Sequence, residues 1–107
     1  MVDPEIVTTV RTYLERVRAH GIPVEFGVLF GSWSRGQASP LSDIDLLVVS
    51  PRFDAPRARR DIAALWRIAA RVDSRIEPVP CGSKQWREDQ GSPLLAVVRE
   101  EGEAVAA

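Results

Sequence analysis

Two carboxylates stand two residues apart in Asp43-Ile44-Asp45, at the head of the continuous apolar run Ile44–Val49. Such a run is the pattern of a strand covered on both faces. Strand side chains alternate, so Asp43 and Asp45 share one face and Ile44 points to the other. Carboxylates held on one face repel unless they are protonated or bridged by a cation. The 107 residues include one His and one Cys, so a His/Cys zinc site cannot be built within the chain. A bridging ion must be bound by oxygen, which selects hard cations such as Mg²⁺ or Mn²⁺.

Upstream, Gly31-Ser32 ends a β-branched and aromatic stretch, Val24–Phe30, that reads as a strand. Glycine lets a ligand approach the backbone, and a turn with free N–H groups and a Ser hydroxyl suits a phosphate. Arg35 can add a charge-assisted contact. Paired carboxylates facing a phosphate-binding turn are the layout of phosphoryl or nucleotidyl transfer, in which two metal ions stabilise the attacking and leaving oxygens.

The segment from Gly31-Ser32-Trp33-Ser34-Arg35-Gly36 to Asp43-Ile44-Asp45-Leu46-Leu47-Val48 has Gly-Ser, ten residues, then Asp-x-Asp. It resembles the signature of the nucleotidyltransferase superfamily that includes DNA polymerase β, and in particular its minimal nucleotidyltransferase (MNT) branch. A lone Asp-x-Asp would be weak; the glycine turn and Arg-Gly beside it make the pattern specific.

The resemblance implies a two-metal Mg²⁺ site on Asp43, Asp45 and a third carboxylate on a later strand. Glu77 is the best match, as metal ligand or general base, with Asp73 as the alternative. It implies that Gly31 and Ser32 bind the triphosphate of ATP or another NTP and that Arg35 touches its phosphates. It implies too that the partner is a HEPN-type helical toxin, silenced by adenylylation of a tyrosine, so that the chain acts as an antitoxin. Other readings are neutralisation by complex formation alone, or modification of a small hydroxylated molecule of the aminoglycoside kind by a homodimer.

These residues need elements to position them. Asp3-Pro4 starts a helix with apolar residues at Ile6, Val7, Val10, the partly polar Tyr13, Leu14 and Val17, stopped by Gly21 and Pro23. A second amphipathic helix is expected over Arg57–Val72, with Trp66 in its apolar stripe. Ser74–Val79 reads as a third strand, which Pro78 confines to an edge or bulge. Ser83 caps a short helix, Ser92-Pro93 opens another with Leu94, Leu95, Val97 and Val98 inward, and Glu103–Ala107 is expected to fray. The order predicts an α+β fold of one domain, residues 1–107, with a three- to four-stranded mixed sheet flanked by helices.

Composition narrows the function further. The net charge of −1 argues against a general nucleic-acid-binding surface. No apolar run approaches the length of a membrane span, and Met1–Glu5 lacks the basic and apolar regions of a signal peptide, so a cytoplasmic protein is expected. Arg57, Arg59, Arg60, Arg67, Arg71 and Arg75 read as a solvated helix face rather than a site. Trp33 either stacks on a ligand or covers the sheet edge. His20 reads as a helix C-terminal cation, and Cys81 as an inert thiol.

Overall fold

The computed structural model describes residues 2–107. Helix α1 (Pro4–Ala19) starts as its sequence dictates: Asp3 accepts the Glu5 N–H at 2.8 Å and Pro4 takes the first helical position. Its buried stripe is Ile6, Val10, Tyr13, Leu14 and Val17. Strand β1 (Phe26–Phe30) follows, then a 3₁₀ turn at Gly31–Trp33 and strand β2 (Ile44–Ser50). A second 3₁₀ turn (Pro51–Asp54) leads to α2 (Arg59–Val72), β3 (Ile76–Gly82), α3 (Ser83–Glu88), α4 (Pro93–Glu101) and β4 (Glu103–Ala106).

The sheet runs β3-β2-β1-β4. β1 is antiparallel to β2 and β4, while β2 and β3 are parallel. This is the expected α+β architecture, with β3 at an edge. Pro78 and Pro80 lie in that edge strand, where a missing N–H is tolerated. Alternation along β2 divides the core. Ile44, Leu46 and Val48 pack under α1 and α2 with Leu14, Leu65 and Ile76. Leu47 and Val49 face the other way, with Val28, Cys81, Leu95 and Val98. Asp45 shares the parity of this second face.

Several sequence expectations are corrected. Residues 103–106 do not fray: they form β4, because Val105 is buried and its burial is worth roughly 2 kcal/mol. Gly102 makes the reversal into β4 possible, since a Cβ there would overlap the Val98 carbonyl and Val28. Leu94 and Val97 on α4 are 42% and 47% exposed; only Leu95 and Val98 turn inward. Trp66 is outside the core, because the inward stripe of α2 is Ala64, Leu65, Ile68 and Ala69. Ser83 is not the α3 cap. Its hydroxyl bonds the Glu25 carboxylate, while Asp54 accepts the Lys84 and Gln85 N–H groups at 2.9 and 3.1 Å. Among the described residues, no helix is long and apolar enough to cross a membrane.

Candidate active site

Parallel pairing of β2 with β3 sets Asp45 directly beside Glu77. Adjacent strands lie about 4.8 Å apart, so the two carboxyls are lateral neighbours. Asp43 sits one residue before β2 and is exposed. The Ile44 N–H between the two aspartates donates to the Arg75 carbonyl at 2.7 Å, which aligns the start of β2 with the lead-in to β3.

The carboxyls perturb one another. Burial, then the charges of Asp43 and Asp45, push the Glu77 carboxyl above its ordinary range. Burial also raises Asp45, with the Asp43 charge adding to the effect; the neighbouring Glu77 carboxyl and the charge of Arg35 oppose it. Such an all-oxygen set, strained by its own charge, suits a hard divalent cation. Among the described residues, no three His, Cys, Asp or Glu side chains stand ready-clustered around a metal position.

Gly31 sits against this pair. Its backbone is left-handed, φ +74°, and a Cβ would run into Oδ2 of Asp45. The Gly31 carbonyl accepts the Ser34 hydroxyl at 3.0 Å and the Ser34 and Arg35 N–H groups at 3.2 Å, which closes the turn. The leading N–H groups of such a turn have no partner within it. Ser32 is half-buried at this turn. Arg35 reaches Gln37 at 3.3 Å and Glu101 at 3.8 Å, so it spans from the turn to the end of α4.

Asp73, the alternative third carboxylate, lies at the C-terminal end of α2 before β3 begins. Both its oxygens are held by Arg75, at 2.7 and 3.0 Å, and this pairing keeps Asp73 below its ordinary range. Sequence reasoning placed Arg75 on a solvated helix face, and that is corrected. Arg75 also donates to the Pro40 carbonyl at 2.9 Å and lies 5.8 Å from the Trp33 ring centre. Trp33 in turn donates to the Ser42 carbonyl at 3.3 Å. One guanidinium thus ties the residue 38–42 loop to β3, beside Asp43. The pattern Asp-x-Arg was the available signal.

The remaining singled-out residues stand apart. Burial pushes the Cys81 thiol up to about 11, consistent with an inert group. His20 ends α1, and Trp86 packs edge-on against Phe26.

A glycine turn thus stands against paired carboxylates at the start of two parallel strands of a mixed sheet. Residues 10–87 match the nucleotidyltransferase domain model, and the chain belongs to that family. It is similar to a Sulfolobus solfataricus protein classed as a nucleotidyltransferase: 17% identity, TM-score 0.63, covering 94% of this chain and 78% of that one. It is also similar to a toxin–antitoxin structure with AMP-PNP, at 25% identity and TM-score 0.57, covering 87% of this chain and 69% of that one. A third likeness, of fold, is to the complex of a tri-AMPylated Shewanella oneidensis HEPN toxin with its MNT antitoxin: 20% identity, TM-score 0.50, covering 89% and 70%. No curated protein matches the chain.

Proposed function

We propose that residues 1–107 form one MNT-type domain that transfers AMP from ATP to a hydroxyl, in the cytoplasm, and that the acceptor is a tyrosine of a HEPN-type toxin. The reading rests above all on Asp45 standing beside Glu77 and against Gly31. The likeness to MNT–HEPN toxin–antitoxin structures supports the partner.

In this reading the Gly31-Ser32 turn binds the triphosphate through backbone N–H groups and the Ser32 hydroxyl. Arg35 offsets phosphate charge. Asp43, Asp45 and Glu77 would hold Mg²⁺. When bound, Mg²⁺ supplies charge neutralisation at the phosphate oxygens and favours the ionised hydroxyl. Glu77 is the carboxylate placed to accept the proton of the attacking hydroxyl. The new bond joins that oxygen to the α-phosphorus, and pyrophosphate leaves.

The test is incubation of the chain with α-labelled ATP, MgCl₂ and a HEPN-type protein encoded beside it. Label is expected on a toxin tyrosine and is expected to vanish in Asp43→Ala and Asp45→Ala. No transfer, together with undiminished neutralisation by Asp43→Ala, would overturn the enzymatic reading.

A further inference from the structure

The α1–α2 layer carries cations that the chain itself does not use. On the outer face of α2, Ala63, Trp66 and Ala70 line up three to four residues apart, all exposed. Trp66, the large apolar side chain of this strip, is 48% exposed. Arg60, Arg67 and Arg71 run along one side of this strip. At its end, Arg71 joins Arg16, Ala19, His20 and Ile68 around a cleft of about 260 Å³ between α1 and α2.

The ion pairs among the described residues are Arg35–Glu101, Arg52–Asp61 and Arg75–Asp73. None uses the cations of this face. The one acidic side chain of α2, Asp61, is already taken by Arg52 at 3.4 Å. The result is an apolar strip rimmed by unpaired positive charge, with a concave basic notch at one end. Trp and Arg are the side chains that most often carry the binding energy of protein interfaces.

We propose that this face docks an acidic amphipathic helix of the protein partner. Apolar side chains of that helix lie on Trp66 and the two alanines, and a carboxylate enters the Arg16–His20–Arg71 notch. The proposal rests on the reading that the chain works on a protein, and it adds where that protein is held.

Other occupants fit less well. Two copies meeting α2 to α2 would set arginine against arginine. The acidic and apolar strip this chain does offer, Leu94 and Val97 beside Glu100 and Glu101 on α4, belongs to the opposite side of the sheet. Pairing α2 with α4 between copies would be head-to-tail, giving rings or open filaments rather than a two-fold dimer. A nucleic acid would want a broad positive field, whereas the floor here is Ala63, Ala70 and Ile68 and the chain's net charge is −1. Asp45 also shares the parity of the α4 side, so docking and transfer occupy opposite faces and can be disabled separately.

The probe is a synthetic helical peptide with Leu at every third or fourth position and Glu flanking them, titrated into the ¹⁵N-labelled full chain. Its Glu→Gln counterpart and a single-stranded oligouridine are titrated in parallel. Shifts are expected at Ala63, Trp66 (indole included), Arg67, Ala70, Arg71 and around Arg16–His20. Affinity should fall about tenfold on raising salt to roughly 0.5 M, and Arg67→Glu/Arg71→Glu should lose binding. Trp66→Ala, an exposed substitution, is expected to keep the fold and weaken binding about tenfold.

The proposal is overturned by equal binding of the Gln peptide, by tighter binding of oligouridine, by shifts elsewhere, or by self-association that the same variants abolish. Labelled-ATP transfer by the wild-type chain, measured beside the titration, separates the two readings. If the peptide binds as designed but wild type transfers nothing, the enzymatic reading fails and the docking face stands. If wild type transfers label but the peptide ignores this face, the reverse holds.

Discussion

The Oδ2 atom of Asp45 occupies the space in which a side chain on Gly31 would have to begin. The Gly31 turn and the second carboxylate are therefore built against each other.

Gly31→Ala should consequently damage both stability and transfer. The left-handed backbone alone costs about 1–2 kcal/mol for alanine. Displacing Asp45 adds a catalytic loss of about a hundredfold, the scale on which ångström misplacements act. Gly36→Ala is the matched control: φ is +70° there, but a Cβ meets nothing within 4 Å. It should show the thermal loss without the kinetic one. Equal rates for the two variants would sink the argument.

The same carboxyls should leave a signature in the pH dependence of stability. Asp45 and Glu77 both have folded pKa values raised above the unfolded ones. Their contribution is complete below about pH 4 and is lost as pH rises through the raised values. Asp54 and Asp73 are lowered and act in the opposite sense. The informative quantity is thus the difference in Tm between wild type and Asp45→Asn. In chelator, Asp45→Asn should gain on wild type as pH climbs from about 4 to 7. MgCl₂ should remove that gain by stabilising wild type selectively.

Arg75 should behave as a positioning residue. Replacing it with Lys keeps the charge but cannot reproduce the forked bond to Asp73 together with the reach to Pro40. We expect a stability loss of about 1 kcal/mol and a transfer rate lower by about tenfold. Trp33 fluorescence should change, because the guanidinium lies over its ring. Asp73 has a lowered folded pKa, so its contribution is present above about pH 4 and vanishes as pH falls through the lower folded value. Arg75→Lys should therefore narrow the stability gap to wild type in acid. An unchanged gap at all pH values would contradict the assigned pairing.

Tyr13 offers a test of the core that is remote from catalysis. Its buried hydroxyl donates to the Leu65 carbonyl at 3.0 Å and joins α1 to α2. Tyr13→Phe removes this cross-helix bond while the Leu65 carbonyl keeps its i+4 partner inside α2, at a cost of about 1 kcal/mol by denaturant melts. Transfer activity at low temperature should stay near wild type.

Much of this fold was legible because local chemistry and tertiary demand agree. Asp3-Pro4 caps α1 where a cap residue followed by proline should, and Ile44–Val49 reads as a doubly covered strand and is one. Pro78 marked an edge strand, and β3 is at the edge. The adjacency of Asp45 and Glu77 could only be suspected, since it depends on the parallel register of strands separated by α2. What stayed hidden was non-local. Val105 orders β4 by packing across the sheet, which five terminal residues do not announce. Trp66 has helical spacing next to Leu65 but falls outside a stripe narrowed by Ala64 and Ala69. Arg75 reads as one more surface arginine until the chain brings Pro40 and Trp33 to it.

Pro78 and Pro80 close the edge of the sheet nearest Glu77 to strand addition. Neither can donate a ladder hydrogen bond, so an extended peptide cannot zip onto β3 through its backbone. A macromolecule approaching the carboxylates from this side therefore cannot do so as a strand added alongside β3. The same two rings also deny a misfolded neighbour its template, which guards this edge against aggregation.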